Sequence, residues 1–352
     1  MKKAILTMAA ALMMVPAMAE EPADNAQSQD VEYGRTITDY VSKPKFGGYY
    51  IGRYQYSDMD KAKGGAGFNQ RLIRFYVDGT ILNDFKYRIQ IQCNNASFHM
   101  KDVFIEWQKY KFAMIKVGQF KRAFGFENPM NPWDISTGDY SLMTKYLTGH
   151  SDYLNCDYSG SSNGGRDIGV QVQGDLLKVG DDNHNLIHYQ VGLWNGRGIN
   201  ASDNDGKKDL IGTIQFQPIK NLYIGAFGWK GSFLDAAGQE HDRNRYAFGA
   251  KYENKGWSAR AEWAHGESGL GNADAWYVVG GMPINDWFRI CAQYQTARID
   301  KTWENAKVIY SLIPEFQLHK NLKFQIQYNF NDNRSGADKH YNEIWGELYF
   351  RF

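Results

Sequence analysis

The sequence predicts an all-β chain folded as a transmembrane antiparallel β-barrel of about sixteen strands, and three observations carry that reading. The C-terminal stretch Tyr341–Phe352 alternates: Ile344, Leu348, Phe350 and Phe352 share one parity, and Glu343, Glu347 and Arg351 share the other. Successive strand side chains point to opposite faces, so the segment has one apolar and one charged face. An outer-membrane barrel needs that pattern, with lipid outside and a wet lumen inside. Composition agrees. Aromatics make up 15% of the chain, Gly is frequent at 36 and Pro scarce at 8, as aromatic girdles and many tight turns require. Finally, alternating segments of about ten residues recur from Phe46 onward, the length of a tilted strand crossing a bilayer.

The chain divides into three parts. Lys2 and Lys3, the mostly apolar Ala4–Val15 and the small-x-small Ala17-Met18-Ala19 read as a secretory signal over residues 1–19. Residues 20–45 are polar and aperiodic, a flexible periplasmic lead-in. Residues 46–352 form the barrel. Removal of the signal leaves 38 basic against 39 acidic residues, net −1, which gives no global field for nucleic acid or an acidic substrate.

Strands are predicted at 46–57, 67–82, 85–95, 98–109, 112–121, 166–176, 186–196, 208–217, 221–231, 244–254, 256–267, 273–282, 286–297, 304–317, 321–331 and 340–352. Each even-numbered strand but the last is followed by a tight turn: Leu82-Asn83-Asp84, Lys109-Tyr110-Lys111, Pro218–Asn221, Asn254-Lys255-Gly256, Pro283–Asp286 and His319-Lys320-Asn321, with a slightly longer one over Lys178–Asn185. The other connections are mostly longer, apart from Asn94–Ser97. Short periplasmic turns alternating with longer outer loops is the asymmetry of outer-membrane barrels. Parity places Ile73, Phe75, Val77, Tyr246 and Phe248 outward and Arg74, Asp78, Lys86, Arg88, Asp102, Glu106, Arg245 and Gln325 inward. Strand 221–231 is ambiguous, because Ile224 and Phe227 fall on opposite parities. An interior this polar holds water, so the barrel is expected to conduct small hydrophilic solutes and ions passively.

The longest connection, 122–165, carries Phe124, Phe126, Trp133, Tyr140, Tyr146 and Tyr153, too aromatic for a solvated tail. It is expected to fold into the lumen and narrow it. The run into it, Val117-Gly118-Gln119-Phe120-Lys121-Arg122-Ala123-Phe124-Gly125-Phe126-Glu127, resembles the strand-to-loop signature of the phosphate-selective porin O/P family in its Bacteroides-like branch. That signature is a Gly-x-Phe-Lys-x-Pro-Phe-Gly-x-Glu run, and Ala123 stands where it has Pro. The resemblance implies a sixteen-stranded porin of the Gram-negative outer membrane, commonly a homotrimer, with the third loop as its constriction. Its partners would be outer-membrane lipid and lipopolysaccharide and the small solutes that pass. Gly48 and Gly52, on the outward parity, would allow close subunit approach.

Selectivity in such a channel follows the fixed charge of the narrow passage. The inward basic candidates are Arg53, Arg74, Lys86, Arg88 and Lys116, with Lys121 and Arg122 at the loop's start. Glu127, Trp133, Asp134 and Asp139 belong to the constriction loop, whose acids could face the basic wall. Many inward carboxylates, Glu343 and Glu347 among them, temper an anion preference, and Glu347 is placed to pair with Arg53. A general pore with a mild anion preference is the expectation. A phosphate or sugar channel, the latter with Trp194, Trp345 and Tyr349 stacking on sugar rings, is the alternative, and a surface adhesin is a further one. Cys93, Cys156 and Cys291 are odd in number, and no His/Cys spacing suggests a metal or other cofactor. Gly160–Gly164 matches GxSxG by letter but lies in a Ser/Gly-rich loop end, and His150-Ser151-Asp152 is contiguous, so no enzyme is expected.

Overall fold

The computed structural model describes residues 41–59, 65–94, 97–150, 164–235, 237–268, 271–299, 302–335 and 339–352. The predicted signal and nearly all of the lead-in lie outside them, as do Asn95-Ala96, Ser151, Asp152, Cys156 and most of the Gly160–Gly164 motif.

Sixteen strands close one antiparallel barrel. They are β1 (Lys45–Ser57), β2 (Ala66–Ile81), β3 (Phe85–Asn94), β4 (Ser97–Tyr110), β5 (Ala113–Lys121), β6 (Arg166–Val179), β7 (His184–Trp194), β8 (Asp209–Ile219), β9 (Leu222–Leu234), β10 (Glu240–Asn254), β11 (Trp257–Ser268), β12 (Gly271–Pro283), β13 (Phe288–Ile299), β14 (Lys307–His319), β15 (Leu322–Asn333) and β16 (His340–Arg351). Every strand pairs with its neighbours in sequence, and β1 closes on β16 with Arg53 opposite Glu347. All sixteen predicted strands are present, most with ends within two or three residues of those expected. β10 begins four residues earlier than expected, at Glu240.

Closure leaves no free sheet edge, so each backbone group inside the lipid is bonded by a neighbour. The alternation sorts the side chains as the sequence requires. Phe75, Ile89, Tyr246, Phe248, Tyr328 and Leu348 are exposed on the outer wall, while Arg74, Asp102, Glu106, Arg245 and Gln325 are buried inside. The ambiguous β9 resolves the same way: Ile224 faces out, and Phe227, Trp229 and Phe233 face in and are buried.

Five register shifts interrupt the ladders among the described residues, and two of them re-aim cations into the lumen. Ile51 pairs with Leu72 and Gly52 with Gln70, so Arg71 is an extra residue in β2. Ile89 pairs with Val103 and Ile91 with Met100, so Lys101 and Asp102 together face the single Gln90. A bulge re-aims the side chain that strict alternation would send outward. Arg71 and Lys101 therefore turn into the lumen, where both are largely buried.

The described part of the third loop, hereafter L3 (residues 122–150 and 164–165 of the connection 122–165), folds into the barrel and carries one short helix, α1 (Leu142–Leu147). It packs against β11, β12 and β13. Several inward positions on β10–β13 are small: Ala247, Ala264, Ala273, Ala275 and Ala297 are all buried in one cluster with Leu142, Met143 and Leu147.

Candidate functional site: the loop-narrowed lumen

L3 is fixed to the wall by apolar and ionic contacts. Phe124 meets Phe227 and Trp229 edge-on, and Phe126 meets Phe227 edge-on at 5.1 Å between ring centres. Each buried phenyl contributes roughly 1.5–3 kcal/mol by leaving water. Gly125, at φ +79°, makes the bend between them, and a Cβ there would sit 2.9 Å from Glu262 Oε2. Glu262 accepts the backbone N–H groups of Phe126 and Glu127 at 2.5 and 2.9 Å. The Glu127 carboxylate accepts from Arg260 at 3.0 Å and from Ser141 N and Oγ at 2.8 and 2.6 Å. Ser141 caps α1. Gln295 accepts from Leu142 N, and Arg245 donates to Leu147 O. On the far side of the loop, Gln327 accepts from Gly138 N, Lys323 donates to Trp133 O, and Trp133 stands perpendicular to Tyr349. The conformation is thus over-determined across β9–β16.

The Val117–Glu127 run is therefore an anchoring device. Phe120 lies on Trp194, Phe124 and Phe126 enter the aromatic wall, Gly125 bends, and Glu127 locks onto Arg260. Ala123, at the place of the family's Pro, is buried and its carbonyl accepts from Thr213.

Between L3 and the wall near the long-loop end lies a cavity of about 520 Å³. Six cations line it: Arg53, Arg71, Arg74, Lys101, Lys145 and Arg166. Three carboxylates touch them. Glu347 takes Arg53 at 2.9 Å and Arg71 at 3.5 Å; Asp139 takes Lys145 at 2.7 Å and Arg71 at 3.4 Å; Asp102 takes Arg166 through two bonds at 2.7 and 3.0 Å. Arg74 and Lys101 have no carboxylate partner among the described residues. Arg74 instead donates to Tyr49 Oη at 2.7 Å and Gln92 Oε1 at 2.9 Å. The cavity thus holds a formal excess of three positive charges. Lys121, just below, donates to Tyr140 Oη at 2.9 Å and to Met130 O. In the loop, burial works to raise the Asp139 carboxyl, but Lys145, Arg71 and Arg53 outweigh it and hold it well below the usual carboxylate range. Burial, reinforced by Lys121 and Arg166, pushes His150 well below the usual imidazole value and keeps it neutral.

The candidates from the sequence separate in space. Arg53 and Arg74 line the cavity, and Arg53 pairs with Glu347 as expected. Lys86 and Arg88 sit toward the short-turn end of β3, opposite Thr80 and Asp78. Arg88 is held by Asp78 through two bonds at 2.6 Å, and Lys116 pairs with Glu106 at 3.0 Å. Arg122 does not line the pore: it is fully buried, paired with Asp167 and stacked over Trp229, because Phe124 draws the loop start against the wall. Glu127 does not face the basic wall, since Arg260 holds it in the anchor. Asp134 is exposed toward the short-turn end, beside Trp257 and Lys323, and Trp133 is pinned on Tyr349. Among the described loop acids Glu127, Asp134 and Asp139, only Asp139 opposes the cations. Four arginines that the sequence does not group, Arg53, Arg71, Arg74 and Arg166, converge on one cavity. Arg166 and Lys145 were missed because their neighbours come from strands and loops distant in sequence. Trp194 and Tyr349 are fully buried and offer no face to a sugar, and Arg53 covers Trp345 at 4.1 Å. Gly48 and Gly52 do not present open notches for a neighbouring subunit, because the rings of Phe352 and Tyr50 lie over them.

Residues 48–221 match the family model described as phosphate-selective porin O and P. No curated protein matches the chain by sequence. Among solved structures, the barrel is similar to an anion-selective porin from Comamonas acidovorans, with TM-score 0.67 and 12% identity over 88% of this chain and 99% of that one. It is also similar to the trimer form of OmpT, an outer membrane protein of Vibrio cholerae, with TM-score 0.63 and 12% identity over 89% and 100% of the two chains. The outer membrane channel DcaP of Acinetobacter baumannii aligns with TM-score 0.61 and 13% identity over 91% and 99%. At such identities these likenesses establish the shared barrel.

Proposed function

We infer that this chain, an outer-membrane porin of the phosphate-selective porin O and P family, passes small hydrophilic solutes by passive diffusion with a preference for anions. The observation that carries the preference is local: six cations against three carboxylates around the cavity above L3. Fixed positive charge in a narrow aqueous passage lowers the barrier for anions, whatever the net charge of the chain. Arg53, Arg74 and Lys121 are the sequence candidates in this reading, joined by Arg71, Lys101 and Arg166; Lys86, Arg88 and Lys116 contribute at the short-turn side.

A phosphate-binding pore is the second reading. Phosphate capture needs several Arg or Lys donors converging on one place, and Arg74, Lys101 and Arg166 supply them. A homotrimer is proposed from the likeness to a porin described in a trimer form, together with the apolar outer wall. Residues 1–19 are proposed as the export signal and 20–45 as a periplasmic lead-in. Affinity with the Bacteroides-like branch rests on the Val117–Glu127 run alone.

The test is reconstitution of the purified chain in a planar bilayer under a KCl gradient. Open channels whose reversal potential carries the sign of chloride permeation are expected. Silence, or the sign of potassium permeation, refutes the reading.

A further inference from the structure

We propose that the cavity above L3 docks organic anions, with Lys101 and Arg74 holding the anionic head and Leu72, Pro132 and Ile199 covering an uncharged body. This deepens the anion-preferring reading and rests on it.

Size is the first argument. At about 520 Å³ the cavity falls in the range of small-molecule pockets, about 300–1,000 Å³, far larger than a bare inorganic oxyanion fills. Lining is the second. A passage for inorganic ions alone gains nothing from apolar walls, yet Leu72 of β2, Pro132 of L3 and Ile199 of the loop 195–208 border the same space as the cations. All three are buried, Ile199 to 5% exposure, so they face the cavity and not bulk water. Apolar cover with a few convergent polar groups is how a site orients a small organic molecule.

The state of the two cations is the third argument. Lys101 is 4% exposed, and its ammonium has no hydrogen-bond or carboxylate partner among the described residues. The ammonium reaches the cavity, so an incoming carboxylate or phosphate ester supplies the charge-assisted hydrogen bond that the described residues do not. Arg74 is aimed but not neutralised: Nε donates to Gln92 and Nη1 to Tyr49, which leaves Nη2 for a ligand. Arg166 stands beside them with its charge matched by Asp102, so it adds shape more than field. Lys101 reaches this position only through the β4 bulge. Docking of this kind is weak, as conduction demands: favourable enough to enter, loose enough to leave.

The experiment measures block of the chloride current through the reconstituted full chain at pH 7 by glucuronate, inorganic phosphate and neutral glucose. Glucuronate is expected to block at lower concentration than phosphate, and glucose not at all. Lys101→Gln is expected to raise the half-blocking concentration of both anions by about tenfold, the weight of one charge-assisted hydrogen bond. Ile199→Ser, in an outer loop where it leaves the barrel intact, is expected to weaken glucuronate block while leaving phosphate block unchanged. Retained open-channel conductance shows that both variants fold. Phosphate blocking as tightly as glucuronate overturns the proposal and leaves the anion preference standing. Unchanged block in Lys101→Gln or Ile199→Ser overturns it as well. A cation-selective wild type, read from the reversal potential of the same channels, defeats the parent reading.

Discussion

Two walls of one lumen use arginine in opposite ways. On β1, β2 and β6, Arg53, Arg71, Arg74 and Arg166 border the cavity beside L3, where cations outnumber acids. On β10 and β11, Arg243, Arg245 and Arg260 are just as buried, but they bond the wall and the loop instead of bordering that cavity: Arg243 to Asp209 and Gly196 O, Arg245 to Leu147 O, Arg260 to Glu127 and Tyr277. The first set can act on a passing solute. The second holds the wall and, through Arg245 and Arg260, the loop that makes the first set matter. An inward arginine is therefore no sign of a filter; what counts is whether cations outnumber their acids where a solute can reach them.

The largest expected effect lies on the anchoring wall. Arg260→Ala leaves Glu127 and Glu262 buried beside each other with no cation, which costs about 3–5 kcal/mol of loop anchorage. Single-channel records should then show a larger and noisier conductance with several substates, while a quiet wild-type record would assign the anchor elsewhere. Phe126→Ala removes one of the two loop rings that enter the aromatic wall and costs about 3 kcal/mol. It should lower the temperature at which the barrel unfolds in mild detergent without changing ion preference.

A smaller effect concerns acid. His150 sits against Asn128 at 2.9 Å near the end of the described part of L3, and burial together with Lys121 and Arg166 depresses its protonation, against the pull of Asp139. Below the unfolded imidazole value of about 6.5 the unfolded chain binds a proton that the folded loop refuses, so loop stability falls as pH drops through that value. Current noise should rise between pH 7 and pH 5 in the wild type, and His150→Gln should flatten that dependence; equal slopes for the two would contradict it. Smallest of all is Arg88→Ala, expected to leave selectivity nearly unchanged, because Asp78 already matches that charge and both groups are partly solvated.

The comparison also explains what the sequence discloses. Strand number, turn asymmetry and the inward loop are legible because period-two alternation and aromatic content are local properties. Arg71 and Lys101 are not, because bulges carry no signal in residue identity and strict parity sends both side chains to lipid. Arg122 and Glu127 misled because a charge at a loop start looks free until its partner, Asp167 or Arg260, arrives from tens of residues away. A clue to the anchoring wall was present all the same. Phe227 and Trp229 on β9 and the inward alanines Ala247, Ala264 and Ala275 are apolar or small where a wet lumen calls for polar groups. Helix α1, six residues long inside the loop, is too short to show its period.

The central claim is that uncompensated cations on the β1–β6 wall set ion preference. The reversal potential across a KCl gradient tests it most directly, measured for the wild type, Arg74→Ala, Lys101→Gln and Arg88→Ala. The account predicts anion preference in the wild type, a clear shift toward potassium for Arg74→Ala and Lys101→Gln, and almost none for Arg88→Ala. Equal reversal potentials in all four channels, or the largest shift in Arg88→Ala, would contradict it.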